Sequence, residues 1–62
     1  MNELIEYYER ELQKIQTNIK TIEIKMKREK DYGKRRKLEI ELCHQLKDYI
    51  SYNKDYLDIK NK

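Results

Sequence analysis

Glu41 and His44 have the spacing that comes closest to a metal site in this 62-residue chain. Side chains three residues apart share a helix face, and a Glu-x-x-His pair supplies ligands in di-metal helical bundles. Both residues lie off the apolar stripe of their own segment, so we expect them to face solvent as an ordinary exposed pair. The sequence therefore predicts no metal site and no cofactor.

Cys43 is the only cysteine, so no disulfide can form within one chain. It lies on an apolar stripe, where a lone cysteine behaves as a small hydrophobic residue; a reactive or intermolecular thiol is the alternative. The sequence contains neither a Ser-His-Asp set nor a Cys-His set that two exposed helices could hold in a dry pocket. We therefore predict that the protein is not an enzyme.

Four consecutive basic residues, Lys34, Arg35, Arg36 and Lys37, form the strongest candidate binding site. They stand at the predicted start of the second helix, where the helix dipole disfavours cations. Residues that break such a local preference of the helix, with no compensating gain in stability, often serve the function of the protein. Free helix N-terminal amides together with four cations would bind phosphate or carboxylate, on nucleic acid or on an acidic protein. A solvated charge run is the alternative interpretation.

Ile24 and Ile40 are apolar residues outside the predicted helix seams, at neighbouring levels beside the basic run. Two exposed isoleucines there predict a small contact patch for a partner protein. The alternative is that they are scattered surface residues, which are common in folded proteins.

The elements that carry these residues are predicted to be helices, because 44% of the chain is charged and it contains no Pro and a single Gly. The first half has an apolar residue at alternating steps of three and four, the seam of a coiled coil. Asn2 is the expected N-cap of this helix, which should span about residues 2–30. The seam residues are Ile5, Tyr8, Leu12, Ile15, Ile19, Ile22 and Met26.

The second half repeats this spacing over a broader stripe, which suits a helix with more than one neighbour. Asn53 is its polar member, and we interpret it as a residue that specifies register or oligomeric state. The core row is Leu42, Leu46, Tyr49, Asn53 and Tyr56, flanked by Cys43, Ile50 and Leu57.

The two stripes are out of phase, so the chain should reverse between them. We expect Gly33 to end the first helix in the left-handed conformation, with a turn at about 31–34 and a second helix at about 35–59. This pairs Ile15 with Ile50 and Ile22 with Cys43. The whole chain, 1–62, is then a single antiparallel helical hairpin of the all-α class.

A 62-residue hairpin has a marginal core, and oligomerisation is the usual remedy without disulfides or a metal. The broad second stripe predicts a homodimer that forms a four-helix bundle. Residues 25–37 hold eight basic and two acidic side chains, whereas both flanking regions are net acidic. Antiparallel pairing of two hairpins would place each basic turn beside the partner's acidic open end.

No apolar run approaches the roughly 20 residues that a membrane span needs, and no signal-peptide pattern opens the chain. We therefore expect a cytoplasmic protein with no membrane partner. The absence of Ala beside abundant Lys, Ile, Tyr, Asn and Glu indicates an AT-rich genome, such as that of a low-GC bacterium, its phage or a plasmid.

The region from Tyr32-Gly33 to Asn53 resembles the small helical-hairpin aspartyl-phosphate phosphatases of bacilli. In that family a Gly turn precedes a Ser-Gln-Glu-Leu-Asp motif, where this chain has Cys43-His44-Gln45-Leu46-Lys47. Only the leucine matches, and Lys47 stands where the family has its acidic residue. Spacing and amphipathicity alone could produce this similarity, so we assign the chain to no family.

The sequence thus predicts a non-enzymatic protein-protein interaction module, a regulator encoded by a phage or mobile element that binds and modulates a partner protein. The alternative is a nucleic-acid-binding hairpin dimer that acts through its basic turn.

Overall fold

The protein is a hairpin of two long helices, α1 (Glu3–Arg28) and α2 (Tyr32–Lys60), in a computed structural model that describes residues 3–61. The helices pack against each other along their length, and the molecule measures 47 × 15 × 11 Å. The predicted all-α hairpin is confirmed. Asn2, the predicted N-cap of α1, lies outside the described residues.

The inner face of α1 is the predicted seam. Its seven residues are all buried or half-buried, and Leu12, Ile15 and Ile22 form the buried core. The ends of α1 match the helix dipole, with Glu3 and Glu6 in the first turn and three basic residues in the last, Lys25, Lys27 and Arg28. The period of apolar residues and the end charges therefore agree on one amphipathic helix.

The turn occupies residues 29–31, so its predicted position at 31–34 is wrong. The amide of Glu29 still donates to the carbonyl of Lys25 at 2.9 Å. Asp31 then caps α2, because its Oδ2 accepts a hydrogen bond from the amide of Lys34 at 3.1 Å. The amide of Asp31 is itself held by Glu29 Oε1 at 3.1 Å. An aspartate N-cap thus starts the second helix three residues earlier than predicted.

Gly33 does not adopt the left-handed conformation that we predicted for it. No residue in the range 3–61 has a positive φ, and Gly33 lies in the first turn of α2. A Cβ at this position would meet only Asp31 Oδ2, at an ordinary contact distance of 3.6 Å. The chain reverses before Gly33, because Asp31 already supplies the cap from which the helix grows.

The register between the helices is the predicted one. Gln16 contacts Tyr49, and Glu9 contacts Tyr56, so in both pairs the residue numbers add to 65. The predicted pairs Ile15 with Ile50 and Ile22 with Cys43 have the same sum, but Ile50 and Cys43 are exposed and do not pack against α1 as predicted. The helices therefore lie at the expected levels relative to each other.

The rotation of α2 about its own axis differs from the predicted one. The half-buried row that faces α1 follows steps of four and three, and its members are Leu38, Leu42, Gln45, Tyr49, Tyr52, Tyr56 and Ile59. Leu46, predicted to lie in the core, is 43% exposed. The observed row packs three tyrosine rings against α1 and lets two hydroxyls reach polar partners at its edge, on Gln16 and Glu9.

The hydrophobic core of a single hairpin is thin. No residue of α2 is buried, and the chain exposes 5412 Å². A compact monomer of its mass would expose about 4,400 Å². The hairpin thus leaves about 1,000 Å² more surface in contact with water than a protein of this size usually does. Neither α1 nor α2 has a stretch that is both long enough and apolar enough to cross a membrane.

Candidate functional site

The basic turn is the first candidate site, and Asp31 already engages one amide at its helix N-terminus. The Asp31 carboxylate accepts from the Lys34 amide, so this donor is not free to bind a phosphate. The charge of Asp31 also disfavours an anion at this position. One amide of the predicted anion site is therefore engaged by Asp31, so side chains would have to supply most of the binding to an anion.

Two of the four predicted basic residues do converge with others. Lys34 and Lys37 line a cleft of about 350 Å³ together with Lys25 and Arg28 from the end of α1. Leu38 and Glu29 complete its lining. The cleft therefore combines four cations from both helices with one acidic and one apolar side chain. Sequence reasoning missed Lys25 and Arg28 as site residues, because only the closed turn brings the end of α1 beside the start of α2.

Arg35 and Arg36 do not line this cleft. Arg36 extends to Glu39, where its Nη1 donates to Oε2 at 3.1 Å in an exposed ion pair. Arg35 is exposed. Consecutive residues on a helix are about 100° apart around its axis, so a run of four cannot point into one cleft. The basic run is thus divided between two sides of the hairpin.

Ile24 and Ile40 are both exposed, at 51% and 50%. Ile24 follows the buried Ile22 by two residues, and Ile40 follows the half-buried Leu38 by two. Two residues correspond to a rotation of about 200°, so each isoleucine points away from the other helix. They lie on opposite outer sides of the hairpin and do not form one continuous patch within it.

A stripe of exposed apolar residues runs along α2 beside the row that faces α1. We call it the α2 stripe, and it consists of Cys43, Leu46, Ile50 and Leu57. Ile50 is 67% exposed, Leu57 is 47% exposed and Leu46 is 43% exposed. Half-buried Asn53 fills the remaining heptad position between Ile50 and Leu57. Exposed apolar residues at this spacing distinguish the stripe from an ordinary solvated helix face.

A groove between the helices lies beside the α2 stripe. Ile19, Leu46 and Tyr49 supply its apolar lining, and its volume is about 430 Å³. Its polar side chains are Gln16, Lys20 and Glu23. Leu46 belongs to both the groove and the stripe, so the two adjoin on one side of the hairpin.

Three tyrosines cluster near the open end. The rings of Tyr7 and Tyr8 meet edge to face at 5.4 Å between centroids, and those of Tyr8 and Tyr52 at 5.8 Å. Tyr7 raises the pKa of Tyr52 above the ordinary value of 10.0, first by electrostatic repulsion and then by a hydrogen bond. The cluster links the two helices and is one more contact that the predicted rotation of α2 did not contain.

The side chains with potential for chemistry are dispersed. Cys43 and His44 line a shallow groove with Arg36, Glu39, Ile40 and Lys47. Among residues 3–61, no three His, Cys, Asp or Glu side chains lie together in a way that could hold a metal ion. Comparison with protein-family models, curated proteins and solved structures finds no match to this chain.

Proposed function

We propose that this chain is a non-enzymatic interaction module and that it works as a homodimer in which two hairpins form a four-helix bundle. The observation that carries the proposal is the exposed α2 stripe. Monomeric proteins rarely leave a contiguous apolar surface of this kind in water, and such surfaces mark sites of protein-protein contact.

The thin core supports the same proposal. Leu12, Ile15 and Ile22 are the buried residues of the described hairpin, and all three come from α1. A second hairpin against the α2 stripe would give α2 the second neighbour that its broad apolar pattern requires. Each large apolar side chain that becomes buried in this way contributes about 1.5–3 kcal/mol.

The function of such a dimer is to bind and modulate a partner protein in the cytoplasm, as a regulator encoded by a phage or mobile element. The outward-facing Ile24 and Ile40 would then lie on the outside of the bundle. A symmetric dimer displays each of them twice, together with its basic turns Lys34–Lys37. These are the surfaces that we propose for the partner.

The dimer is tested by analytical ultracentrifugation of the wild type, Ile50→Lys and Ile24→Lys. Ile50 and Ile24 are both exposed isoleucines in the hairpin, but only Ile50 lies on the α2 stripe. We expect the wild type to sediment as a dimer at micromolar concentration. Ile50→Lys should raise the dissociation constant at least about tenfold, and Ile24→Lys should leave it unchanged. A wild-type monomer, or equal effects of both changes, would contradict the proposal.

Nucleic-acid binding through the basic turn is the second candidate. The observation in its favour is the cleft to which both helices contribute cations, two from α1 and two from α2. Phosphate contacts of this kind release counterions, so affinity should fall steeply with salt. The test is titration of labelled DNA and RNA at two salt concentrations. The test compares two double variants. The first combines Lys25→Gln with Lys37→Gln, inside the cleft, and the second combines Arg35→Gln with Lys47→Gln, outside it.

Salt-dependent binding that the first pair of changes abolishes, and the second pair leaves largely intact, would make this candidate the function. Absence of salt-dependent binding by the wild type would eliminate it and leave the protein-partner function.

A further inference from the structure

We propose that the second copy covers the α2 stripe in the antiparallel orientation, so that the basic turn of each hairpin lies beside the open end of its partner. This inference rests on the dimer proposed above and specifies the orientation of its two hairpins. The geometry of the stripe and the surface that the chain exposes support a second copy as the occupant, and the distribution of charge along the hairpin selects the orientation.

The α2 stripe has the geometry of a helix-helix seam. With Asn53 included, its positions 43, 46, 50, 53 and 57 follow steps of three, four, three and four. This is the spacing at which two helices pack side by side along their length. The row that faces α1 has the same period but lies on another side of α2. The helix therefore carries two parallel seams, of which the hairpin uses one.

The unused seam suits a second copy because of the area involved. The chain exposes about 1,000 Å² beyond the value for a compact protein of its mass. A stable protein-protein interface buries about 800 Å² on each partner. The excess surface of the whole chain is therefore about as large as one such interface, and a symmetric pair of hairpins covers both stripes at once.

The charge distribution selects between the two orientations. Residues 25–37, at the turn, hold eight basic and two acidic side chains. At the opposite end, residues 3–11 and 55–61 together hold six acidic and two basic side chains. In a parallel dimer the two turns would lie about 10 Å apart, close to the Debye length at physiological salt, and would repel each other. In an antiparallel dimer each basic turn meets an acidic end.

The two orientations differ most at the turn. Tyr32 is exposed at the start of α2, and Ile50 is the middle residue of the stripe. In an antiparallel pair centred near Asp48, Leu46 of each copy meets the partner's Ile50, and Lys37 lies beside the partner's Ile59. At a rise of about 1.5 Å per residue, this pair separates its two Tyr32 positions by about 50 Å. A parallel pair holds them within about 20 Å, side-chain lengths included. Ser51 lies near the centre, and its two copies are within about 25 Å in either orientation.

The experiment measures distances between spin labels in the dimer by pulsed electron paramagnetic resonance. Labels are attached to Tyr32→Cys in one protein and to Ser51→Cys in another, both with Cys43→Ser. Ultracentrifugation first establishes that each labelled protein still forms dimers as the wild type does. We expect about 50 Å between the Tyr32→Cys labels and less than about 25 Å between the Ser51→Cys labels.

The outcomes separate the orientation from the dimer itself. Short distances at both positions mean a parallel dimer and overturn this inference, while the proposed homodimer stands. A long distance at both positions means that the α2 stripe is not the interface, which also overturns it. A wild-type protein that sediments as a monomer and labelled proteins without any intermolecular distance overturn the dimer and the orientation together.

Discussion

The hydroxyl of Tyr56, near the end of α2, donates a 2.8 Å hydrogen bond to the carboxylate of Glu9, which lies 47 residues earlier in α1. One heptad closer to the turn, Gln16 Nε2 donates to the hydroxyl of Tyr49 at 3.2 Å. Both bonds bridge the helices at the same register. The tyrosines thus connect the helices through their rings in the interface and through their hydroxyls at its edge.

Tyr56→Phe removes the hydroxyl and keeps the ring in the interface. Because the hydrogen bond to Glu9 is exposed, we expect its loss to lower the free energy of unfolding by less than about 1 kcal/mol. Chemical denaturation at one fixed protein concentration measures this, since dimerisation would shift the midpoint. Tyr32→Phe, at an exposed position in the turn region, is the control and should have no effect. Equal losses for both would mean that the bond does not contribute.

Gly33→Ala is expected to stabilise the protein. Gly33 lies in helical conformation and has room for a Cβ, so the change removes a helix-breaking glycine without a clash. The gain should be about 0.5–1 kcal/mol, seen as a higher thermal midpoint. The matched change Asp31→Ala removes the N-cap and should cost about 0.5–2 kcal/mol. Destabilisation by Gly33→Ala would instead mean that the turn needs the left-handed conformation at this residue.

Ile15→Ala and Ile24→Ala test which face of α1 carries the core. Ile15 is buried, so its truncation should cost about 2–5 kcal/mol and largely unfold so small a domain. Ile24 points outward, so its truncation should lower the free energy of unfolding by less than about 1 kcal/mol. Circular dichroism during thermal unfolding distinguishes the two variants. Comparable losses at both positions would show that the heptad frame of α1 is displaced.

Tyr52→Phe should reduce the loss of stability at alkaline pH. The pKa of Tyr52 is raised in the fold, so the folded protein holds this proton more tightly than the unfolded chain does. This contribution to stability is fully present below pH 10 and is lost as the pH rises through the raised pKa. Between neutral pH and the raised pKa, the free energy of unfolding should therefore decline less for Tyr52→Phe than for the wild type. Tyr32→Phe, an exposed residue of the same type, should decline as wild type does.

The functional site was only partly predictable from the sequence. The basic run at 34–37 is visible as four letters, but their order along the chain does not show that Lys34 and Lys37 join Lys25 and Arg28 while Arg36 pairs with Glu39. Helical rotation and closure of the turn decide this. Ile24 and Ile40 were correctly expected to be exposed. Their similar positions along the hairpin axis do not show that they face opposite sides of the hairpin.

The sequence by itself determined the helical class, the inner face of α1 and the register of the hairpin. A single apolar row repeats along α1, so only one face can be buried. The tertiary structure decided the rotation of α2. Its apolar pattern is broad enough for either of two adjacent rows to pack against α1, and local periodicity does not distinguish them. The choice depends on contacts between helices: the rings of Tyr49, Tyr52 and Tyr56 fill the interface and two of their hydroxyls find partners, which leaves Leu46 and Ile50 exposed.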